Sequence, residues 1–517
     1  MPVVAASSIP LAQALRDPRC YPFPAGSVEA IETHISWVFL AGDFAYKVKK
    51  PVDLGFCDFT TLERRRFFCE EELRLNGRIA PRLYVGVVPI VESAEGPRVE
   101  GEGTPVEFAV KMRRFPQEML LDALAASGRL EAATIDRLAL VVSQMHAMAA
   151  RVDPSSGWGS PEEALRLAID NFAALEGADL PRPRAAELAR LREWTLLEFQ
   201  QVRGAMKERE LGGFVRECHG DLHLGNIVLT GGVALPFDCV EFDPRLRWID
   251  VMSDVAFLVM DLEAHGLARL AARLLTEYLE ESGDYDGLRV LRFYRVYRAL
   301  VRAKIEHLRS LQRAAGREGS RACEFIDLAL HTASAPRPFL EITSGVSGSG
   351  KSTVALGRVE ESQAVRIRSD VERKRLHGID PREHMRSGVR EGIYTSAGSD
   401  RVYARLAALA RGAIRSGYPV IVDAAFLERA RRERFRALAM ECGVPFRIVS
   451  CEASEETLFR RVAERWSAGT DASDARCDVL RDQLATRDAI AADEGEVEHV
   501  DTGEWRPEHE SNVRPAP

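Results

Sequence analysis

The glycine-rich segment GVSGSGKS, at residues 345–352, is the feature that most constrains what this chain can fold into. It fits the pattern GxxxxGK[ST], comes directly after an apolar segment at 339–344 and precedes a helical pattern at 353–360. Glycines let backbone amides approach a phosphate group, and the N-terminus of the following helix adds partial positive charge. The segment therefore predicts a nucleotide phosphate site between a strand and a helix.

Eight residues of this region are predicted to contact the nucleotide: Gly345, Ser347, Gly348, Ser349, Gly350, Lys351, Ser352 and Thr353. Lys351 is predicted to reach the terminal phosphates, and the Ser352 hydroxyl to ligate Mg²⁺. Asp423 ends the apolar segment Val-Ile-Val-Asp, where a second Mg²⁺ ligand is expected. The alternative interpretation of Asp423 is a purely structural carboxylate.

An aspartate and an arginine follow the next predicted strand, 364–368, in the spacing Asp370-x-x-Arg373. In α/β sheets of this kind, ligands bind at the carboxyl edge of the strands. A carboxylate there can orient and deprotonate a hydroxyl group, while the arginine pairs with it or with the acceptor. We therefore predict that Asp370 and Arg373 act on an acceptor. The alternative for Asp370 is a helix N-cap.

A second set of catalytic residue types lies in the segment CHGDLHLGN, which ends at Asn226. Its His-x-Asp-x-x-x-x-Asn spacing is that of a kinase catalytic loop. We predict that Asp221 receives the proton of an acceptor hydroxyl and that Asn226 holds Mg²⁺. Asp238, which follows the apolar segment 234–237, is the predicted second Mg²⁺ ligand.

The N-terminal segment 28–50 alternates as strands do, and its Ala-Tyr-Lys47 is similar to the Ala-x-Lys of a kinase third strand. Lys47 is predicted to contact the α and β phosphates, and Lys49, on the same face, is the alternative. Glu72 is the predicted partner on the next helix. It is preferred to Glu71 because it shares a helix face with apolar residues. A solvated charge is the alternative for either glutamate.

One turn departs from the kinase pattern. Kinases cover the phosphates with a GxGxxG loop, but the corresponding turn here, ETHIS at 32–36, contains no glycine. The turn therefore gives no support to nucleotide binding at the N-terminal site.

Composition limits the class of protein. The chain has 517 residues, 46% of them hydrophobic, which is enough for large buried cores. Its net charge of −8 disfavours a nucleic-acid substrate without excluding one. The nine cysteines form no CxxC pair, so we expect reduced thiols. Because no signal peptide or membrane-spanning segment is evident, we expect a cytoplasmic protein with no membrane partner.

Periodicity divides the chain into domains. Strand-like segments at 35–40, 44–50, 84–91 and 106–113, with a helix at 61–79, predict a small lobe over about 1–113. Mainly helical patterns follow over about 114–330, the second lobe of this first domain. We predict a linker at 331–338, a second domain at 339–503 with strands alternating with helices, and a tail at 504–517.

Residues 339–485 resemble the P-loop kinases that include gluconate kinase and the polynucleotide-kinase and zeta-toxin group. The resemblance rests on these residues: 345–352, Asp370, Arg373, Asp423, Arg432, Arg461 and Arg465. In such relatives a mobile lid arginine meets the transferring phosphate, which implies this role for Arg461 or Arg465. The segment 471–475 follows them. The alternative for each arginine is a solvent-facing residue or a salt-bridge partner.

Residues 28–330 resemble aminoglycoside phosphotransferases and related small-molecule kinases such as choline kinase, through the loop around Asp221 and an Asp254-Val-Ala element similar to their structural Asp-Leu-Ala. The whole chain resembles bacterial fusion proteins that join the two modules. The resemblance implies a bilobal protein-kinase-like domain, followed by a parallel-sheet P-loop domain, in an α/β and α+β multidomain protein.

The resemblance implies an enzyme with ATP and Mg²⁺ as cofactors. We expect each domain to transfer the γ-phosphoryl group of ATP to a hydroxyl of a small molecule. One alternative is a P-loop kinase that a nucleotide-sensing kinase-like domain regulates. Another is a P-loop domain that acts on 5′-hydroxyl ends of nucleic acids, which would need a basic groove. The sequence leaves both acceptors and the oligomeric state open.

Overall fold

The computed structural model describes residues 8–55, 57–176, 182–312, 319–334, 337–380, 383, 396–468 and 476–503. The chain forms two compact units. The first comprises the described residues within Met1–Asp261 and Tyr297–Phe325, and the second those within Leu262–Val296 and Ile326–Pro517. The predicted domain bounds stay a prediction, since the units interleave along the chain.

An antiparallel sheet opens the first unit, after helix α1 (Ser8–Ala14). Its strands are Val28–Glu32 (β1), Ser36–Ala41 (β2), Phe44–Lys49 (β3), Tyr84–Ser93 (β4), Gly96–Val99 (β5) and Pro105–Arg113 (β6), and helix α2 (Leu62–Gly77) lies between β3 and β4 in sequence. The strand order is β1-β2-β3-β6-β4-β5. Strand β3 is central, with Lys47 opposite Val38 of β2 and Val110 of β6, so its side chains are mostly buried.

Helix α2 packs against this sheet. It begins after Thr61, whose Oγ1 accepts a hydrogen bond from the Arg64 amide at 3.3 Å. Its buried face includes Cys69, Glu72 and Leu75, which recur at helical spacing. Glu72 is therefore carried on the side of the helix that faces away from solvent.

Helices dominate the rest of the first unit. They are Leu121–Ala126 (α3), Ala132–Met148 (α4), Pro161–Glu176 (α5), Arg182–Leu211 (α6), Pro244–Arg247 (α7) and Val251–Ala264 (α8). Two antiparallel ribbons are formed by Val215–Glu217 (β7), Ile227–Thr230 (β8), Val233–Pro236 (β9) and Trp248–Asp250 (β10). Strand β7 pairs with β10, and β8 with β9. Gly231 and Gly232, with φ of 55° and 77°, allow the two-residue turn of the β8–β9 hairpin.

Three helices lie next in the chain: Ala268–Ser282 (α9), Leu288–Gln312 (α10) and Gly319–Ala333 (α11). Helix α9 belongs to the second unit. There Ala272 packs in an apolar cluster with Ala355, Val359 and Ile421.

The second unit is built on a parallel sheet. Its strands are Leu340–Ser344 (β11), Val365–Arg368 (β12), Val420–Asp423 (β13), Phe446–Glu452 (β14) and Glu496–Asp501 (β15), in the order β12-β13-β11-β14-β15. Its further helices are Lys351–Ser362 (α12), Ser369–Leu376 (α13), Ser396–Arg415 (α14), Arg429–Cys442 (α15), Glu455–Ala468 (α16) and Cys477–Thr486 (α17). The α12 helix starts at Lys351, directly after the glycine-rich loop. Strands β11, β12 and β13 end at one edge of the sheet.

This architecture confirms the predicted fold class, a kinase-like domain followed by a parallel-sheet P-loop domain. Four strands were not predicted from the sequence: β5, β15 and the three-residue strands β7 and β10. Strand β15 is a half-exposed edge strand with the polar sequence EVEHVD, and β5 is a four-residue strand between the predicted segments 84–91 and 106–113. No helix among the described residues is long and apolar enough to cross a membrane.

The buried pair Arg209–Asp250 joins α6 to β10, with Nε–Oδ2 and Nη2–Oδ1 distances of 2.7 and 2.8 Å. We expect Arg209→Met to lower the free energy of unfolding by about 3–5 kcal/mol, because it leaves a buried carboxylate without its cation. Urea unfolding measures this loss. Arg203 lies on the same helix and forms an exposed pair with Glu162 of α5, so Arg203→Met should change the free energy of unfolding by less than about 0.5 kcal/mol. Equal effects of the two substitutions would contradict the prediction.

Candidate active sites

In the first unit, Lys47 links strand β3, helix α2 and the residue after β9. Its Nζ donates to Glu72 Oε1 at 2.9 Å and contacts the Asp238 carboxylate. Lys47 and Glu72 are buried, whereas the Asp238 side chain is 41% exposed. Burial opposes the charged form of Lys47, but Asp238 and Glu72 raise its pKa well above the ordinary value. The lysine is thus held charged beside an accessible carboxylate.

Lys49 occupies a different environment. Its Nζ donates to Glu72 Oε2 at 2.8 Å and contacts Glu241, and both groups of the latter pair are almost fully buried. Burial would raise the pKa of Glu72, but Lys47 and Lys49 lower it to about 2. Burial raises the pKa of Glu241. Glu71 lies away from this cluster and pairs with Arg74 at 2.8 Å. The structure therefore brings Glu72 to both lysines and places Lys49 in the interior.

Two side chains fix the backbone at Asp238, which has a left-handed φ of 63°. The Asp238 amide donates to Tyr84 Oη at 3.2 Å, and the Cys239 amide donates to Asn76 Oδ1 at 2.9 Å. Asn76 and Glu72 lie one turn apart on α2. This helix therefore aligns Lys47 and the backbone beside Asp238 together.

Two neighbouring side chains approach the same carboxylate oxygen of Asp221, Oδ2. Asn226 Nδ2 donates to Asp221 Oδ2 at 3.0 Å and also to its carbonyl oxygen at 3.0 Å. His223 Nε2 lies 3.5 Å from the same Oδ2. Since His223 Nδ1 accepts a hydrogen bond from the Gly225 amide at 3.1 Å, its Nε2 carries the proton. Desolvation opposes ionisation, but His223 and Arg302 help to hold the pKa of Asp221 below its ordinary value.

Helix α8 holds the backbone of this loop. Asp254 accepts hydrogen bonds from the amides of His219 and Gly220 at 2.8 and 3.0 Å, and Asp261 Oδ2 accepts one from the Leu224 amide at 2.9 Å. Arg298 of α10 donates to the Gly220 carbonyl at 2.9 Å. The Asp254-Val-Ala pattern signalled the first of these contacts. No sequence pattern indicated the contacts that Asp261 and Arg298 make with the loop.

Asp254 also lies within a buried group formed with His146 and Cys218. The Cys218 thiol donates to the Ile249 carbonyl at 3.5 Å. His146 Nε2 lies 3.5 Å from Asp254 Oδ2. Because Asp254 already accepts two backbone amides, we assign this group a structural role.

A lysine holds the glycine-free turn between β1 and β2. Lys50 Nζ donates to Glu32 Oε1 and to the Thr33 carbonyl, both at 2.6 Å. The Thr33 hydroxyl donates to the Ser36 carbonyl at 3.1 Å and accepts from the Ser36 amide at 3.0 Å. The turn is thus fixed by side-chain hydrogen bonds, where the kinase pattern has glycine.

In the second unit, glycines allow the tight curvature of the 345–350 loop. Gly345, Gly348 and Gly350 have φ of 151°, 83° and 74°. A Cβ atom on Gly348 would lie 2.8 Å from the Leu458 carbonyl oxygen, so no larger residue fits there. Lys351 Nζ donates to the Val346 carbonyl at 2.8 Å. Burial lowers the pKa of Lys351, although Asp423 opposes this shift.

A glutamine that the sequence analysis missed contacts this loop. The Ser347 amide donates to Gln483 Oε1 of α17 at 2.7 Å. No motif marks Gln483, since its role depends on how α17 packs near the loop. Its side-chain oxygen holds one of the amides predicted to face the nucleotide phosphates.

The predicted metal ligand Asp423 and the predicted acceptor-side Asp370 both lie at the carboxyl edge of the sheet. Asp423 ends β13 and is in register with Arg368, the last residue of β12, while Asp370 lies in the first turn of α13. Asp423 Oδ2 is buried, accepts no hydrogen bond from the described residues and lies 3.6 Å from Arg368 Nε. A carboxylate and the Ser352 hydroxyl are hard oxygen donors of the kind that Mg²⁺ prefers. The residues present therefore fit a magnesium ion.

The predicted arginines take different positions. Arg373 Nη1 donates to Ser399 Oγ at 3.5 Å, and Arg461 donates to Thr502 Oγ1 and to its carbonyl oxygen at 3.0 and 2.8 Å. Arg465 lies close enough to Lys351 to lower its pKa. Residues 471–475 of the implied lid lie outside the described part of the chain.

Arg432 is a structural residue of the second unit. It is buried and pairs with Glu494 through Nε–Oε2 and Nη2–Oε1 distances of 2.6 and 3.0 Å. It also donates to the carbonyl oxygens of Phe426 and Leu427. These contacts hold the backbone that follows β13.

Comparison with known proteins gives two family matches. Residues 68–294 match the Phosphotransferase enzyme family, and residues 340–490 match the AAA domain family. The chain is 31% identical over 452 residues to uncharacterized proteins of Mycobacterium bovis and Mycobacterium tuberculosis, covering 86% of this chain and 88% of each relative. These matches confirm both resemblances found in the sequence.

Two solved structures show weaker likeness. A sugar kinase from Janibacter is 21% identical, with 32% of this chain and 85% of that chain covered and a TM-score of 0.26. A choline/ethanolamine kinase family protein from Mesorhizobium loti is 13% identical, with 63% and 95% covered and a TM-score of 0.38.

Substitution of the two lysines of β3 should have different effects on stability and on nucleotide binding. We expect Lys49→Met to lower the free energy of unfolding by about 3–5 kcal/mol, because Glu241 is left buried without its cation. Lys47→Met should cost less stability, since Asp238 can be hydrated, but should abolish nucleotide binding in the first unit. Urea unfolding and titration with a fluorescent ATP analogue, both in a Lys351→Ala background, measure the two effects. If Lys49→Met weakened nucleotide binding more than Lys47→Met, the assignment of Lys47 as the phosphate-site lysine would be wrong.

Gln483→Ala frees the Ser347 amide for the nucleotide. We expect the affinity of the second unit for a fluorescent ATP analogue to rise about fivefold, the equivalent of one hydrogen bond of about 1 kcal/mol. Thr486→Ala, an exposed residue of the same helix, is the matched control and should leave affinity unchanged. Weaker binding in Gln483→Ala would mean that the glutamine contacts the nucleotide itself.

Proposed function

Since this chain belongs to the family of the mycobacterial proteins described above and carries two kinase-type domains, we propose that it is a bifunctional ATP-dependent phosphotransferase. Each unit transfers the γ-phosphoryl group of ATP to a hydroxyl of a small molecule. The observation that carries the proposal is that each unit separately combines a phosphate-site lysine with candidate metal ligands and an acceptor-side aspartate. A single active site would not need two such sets.

In the first unit, Asp221 positions the acceptor and takes its proton. Asn226 and His223 both approach Oδ2, so the other carboxylate oxygen is the one that meets the hydroxyl. Lys47 contacts the α and β phosphates, and Glu72 keeps it charged and oriented. Asn226 and Asp238 supply an amide and a carboxylate oxygen, a donor set that fits Mg²⁺.

In the second unit, the backbone amides of the 345–350 loop and Lys351 bind the phosphates. Ser352 and Asp423 hold the metal, and Asp370 takes the proton of the acceptor hydroxyl at the sheet edge. Arg373 pairs with the acceptor, and Arg461 or Arg465 neutralises the transferring group. When bound, Mg²⁺ neutralises charge on the β and γ phosphates at both sites.

One observation favours a second candidate function for the first unit. Its β1–β2 turn has no glycine and is fixed by Lys50 and Thr33, so close approach of the turn backbone to phosphates is restricted. A unit of this kind could bind nucleotide without turnover and regulate the second unit. Product formation separates the two candidates.

Labelled products identify which unit acts. Purified protein is incubated with γ-labelled ATP, Mg²⁺ and fractionated small metabolites, with Asp221→Asn, Lys351→Ala and the double variant in parallel. We expect each single substitution to reduce a different labelled product by about a hundredfold or more, because each removes a proton acceptor or a phosphate contact.

Two exposed substitutions serve as matched controls. Asp170→Asn breaks a surface pair in the first unit, and Arg460→Ala does so in the second. Both should leave all products unchanged. If Asp221→Asn alters no product while Lys351→Ala removes all of them, the first unit is a regulator and the bifunctional proposal is wrong.

A further inference from the structure

Glu280, on helix α9 of the second unit, binds two arginines of strand β12. Its Oε1 accepts from Arg366 Nε at 2.7 Å, and its Oε2 lies 3.7 Å from Arg368 Nη1. Residues two apart on a strand point to the same face, so one carboxylate can reach both arginines. The Glu280 and Arg366 side chains are about 95% buried. This carboxylate is therefore the shared anion of two neighbouring cations.

Each arginine extends to one of the candidate metal ligands. Arg366 Nη1 donates to the carbonyl oxygen of Ser352 at 3.3 Å. Arg368 Nε lies 3.6 Å from Asp423 Oδ2. Glu280 thus connects to the backbone of one ligand and to the carboxylate of the other, although it touches neither. The two ligands belong to different elements, α12 and β13, and this carboxylate is common to both connections.

The distance between Arg368 and Asp423 gives Glu280 a chemical role. At 3.6 Å, the guanidinium attracts the carboxylate without forming a hydrogen bond, and Asp423 Oδ2 keeps its lone pairs for a cation. Without Glu280, Arg368 would have one fewer anion and could close on Asp423. A direct charge-assisted pair there would compete with Mg²⁺ for the same oxygen.

The position of Glu280 in the sequence does not indicate this role. Helix α9 precedes the predicted linker and lies within the region that matches the Phosphotransferase enzyme family, 68–294. It nevertheless packs on the P-loop sheet, where Arg273 pairs with Glu360 of α12 at 2.8 Å and Thr276 Oγ1 accepts from the Arg366 amide at 3.4 Å. A residue from the segment matched to one family therefore supports the site of the other.

We propose that Glu280 is a positioning residue of the P-loop site, which holds Arg366 and Arg368 so that Ser352 and Asp423 can bind Mg²⁺ with the nucleotide. The P-loop kinase is incomplete without helix α9. This inference rests on the proposed function of the second unit for the identity of the metal and nucleotide, but its test reads binding and needs no acceptor.

The test measures how Mg²⁺ assists binding of a fluorescent ATP analogue to the full chain. The signal of the second unit is the part that Lys351→Ala removes. We expect Glu280→Gln to raise the Mg²⁺ concentration for half-maximal binding about tenfold and to leave binding in EDTA unchanged. Thermal unfolding checks that the variant is folded.

Arg273→Gln is the matched control, because it removes a partly buried pair between α9 and α12 that does not involve β12. If Glu280 only docked the helix, both variants would shift the Mg²⁺ requirement alike, and the proposal would be overturned. An unchanged requirement in Glu280→Gln would overturn it as well. Loss of nucleotide binding in wild type would instead refute the proposed function.

A double-mutant cycle tests the route through Arg368. In an Arg368→Met background, Glu280→Gln should add less than twofold to the Mg²⁺ requirement, because the arginine that Glu280 restrains beside Asp423 is already absent. Additive effects would place Glu280 outside this route and overturn the proposal. Should Glu280→Gln fail to fold, Arg368→Met is the second variant. Because it removes the cation that would compete at Asp423, the Mg²⁺ requirement should not rise, and a rise of threefold or more would overturn the proposal.

Discussion

The charge cluster of Lys47, Glu72 and Lys49 is the interaction on which the first unit depends. Glu72 is fully buried, so its charge is tolerated only because two ammonium groups lie at 2.8 and 2.9 Å. The same contacts lock helix α2 against the central strand β3. Because α2 also carries Asn76, which fixes the backbone beside Asp238, the packing of one helix sets the geometry of the candidate nucleotide site.

Sequence patterns predicted the parts of both sites that depend on local spacing. The 345–352 loop, the Asp221 to Asn226 spacing and the strand-end position of Asp423 each fix a side chain relative to its own backbone. Periodicity also separated Glu72 from Glu71, since only one of them shares the apolar face of α2. These predictions needed no knowledge of which elements pack together.

Contacts between distant elements could not be predicted in the same way. Gln483 reaches the phosphate loop from α17, and Glu241 pairs with Lys49 across a sequence separation of 192 residues. The polar edge strand Glu496–Asp501 lacked an apolar run because half of it faces solvent. In each case the signal lies in the tertiary arrangement, and a single sequence shows neither the partner nor the distance.

Lysine and arginine side chains have different roles in this chain. Only eight of the 70 basic residues are lysines, yet Lys47, Lys49, Lys50 and Lys374 are buried and Lys351 lies in the phosphate loop. Arginine forks, such as those at Arg209 and Arg432, make bidentate pairs that hold elements together. A compact ammonium suits a site where a phosphate must replace a protein partner, because it has no fixed fork to satisfy. Lys47 and Lys351 therefore mark the two places where the charge must be exchangeable, whereas Lys49 and Lys50 hold the fold.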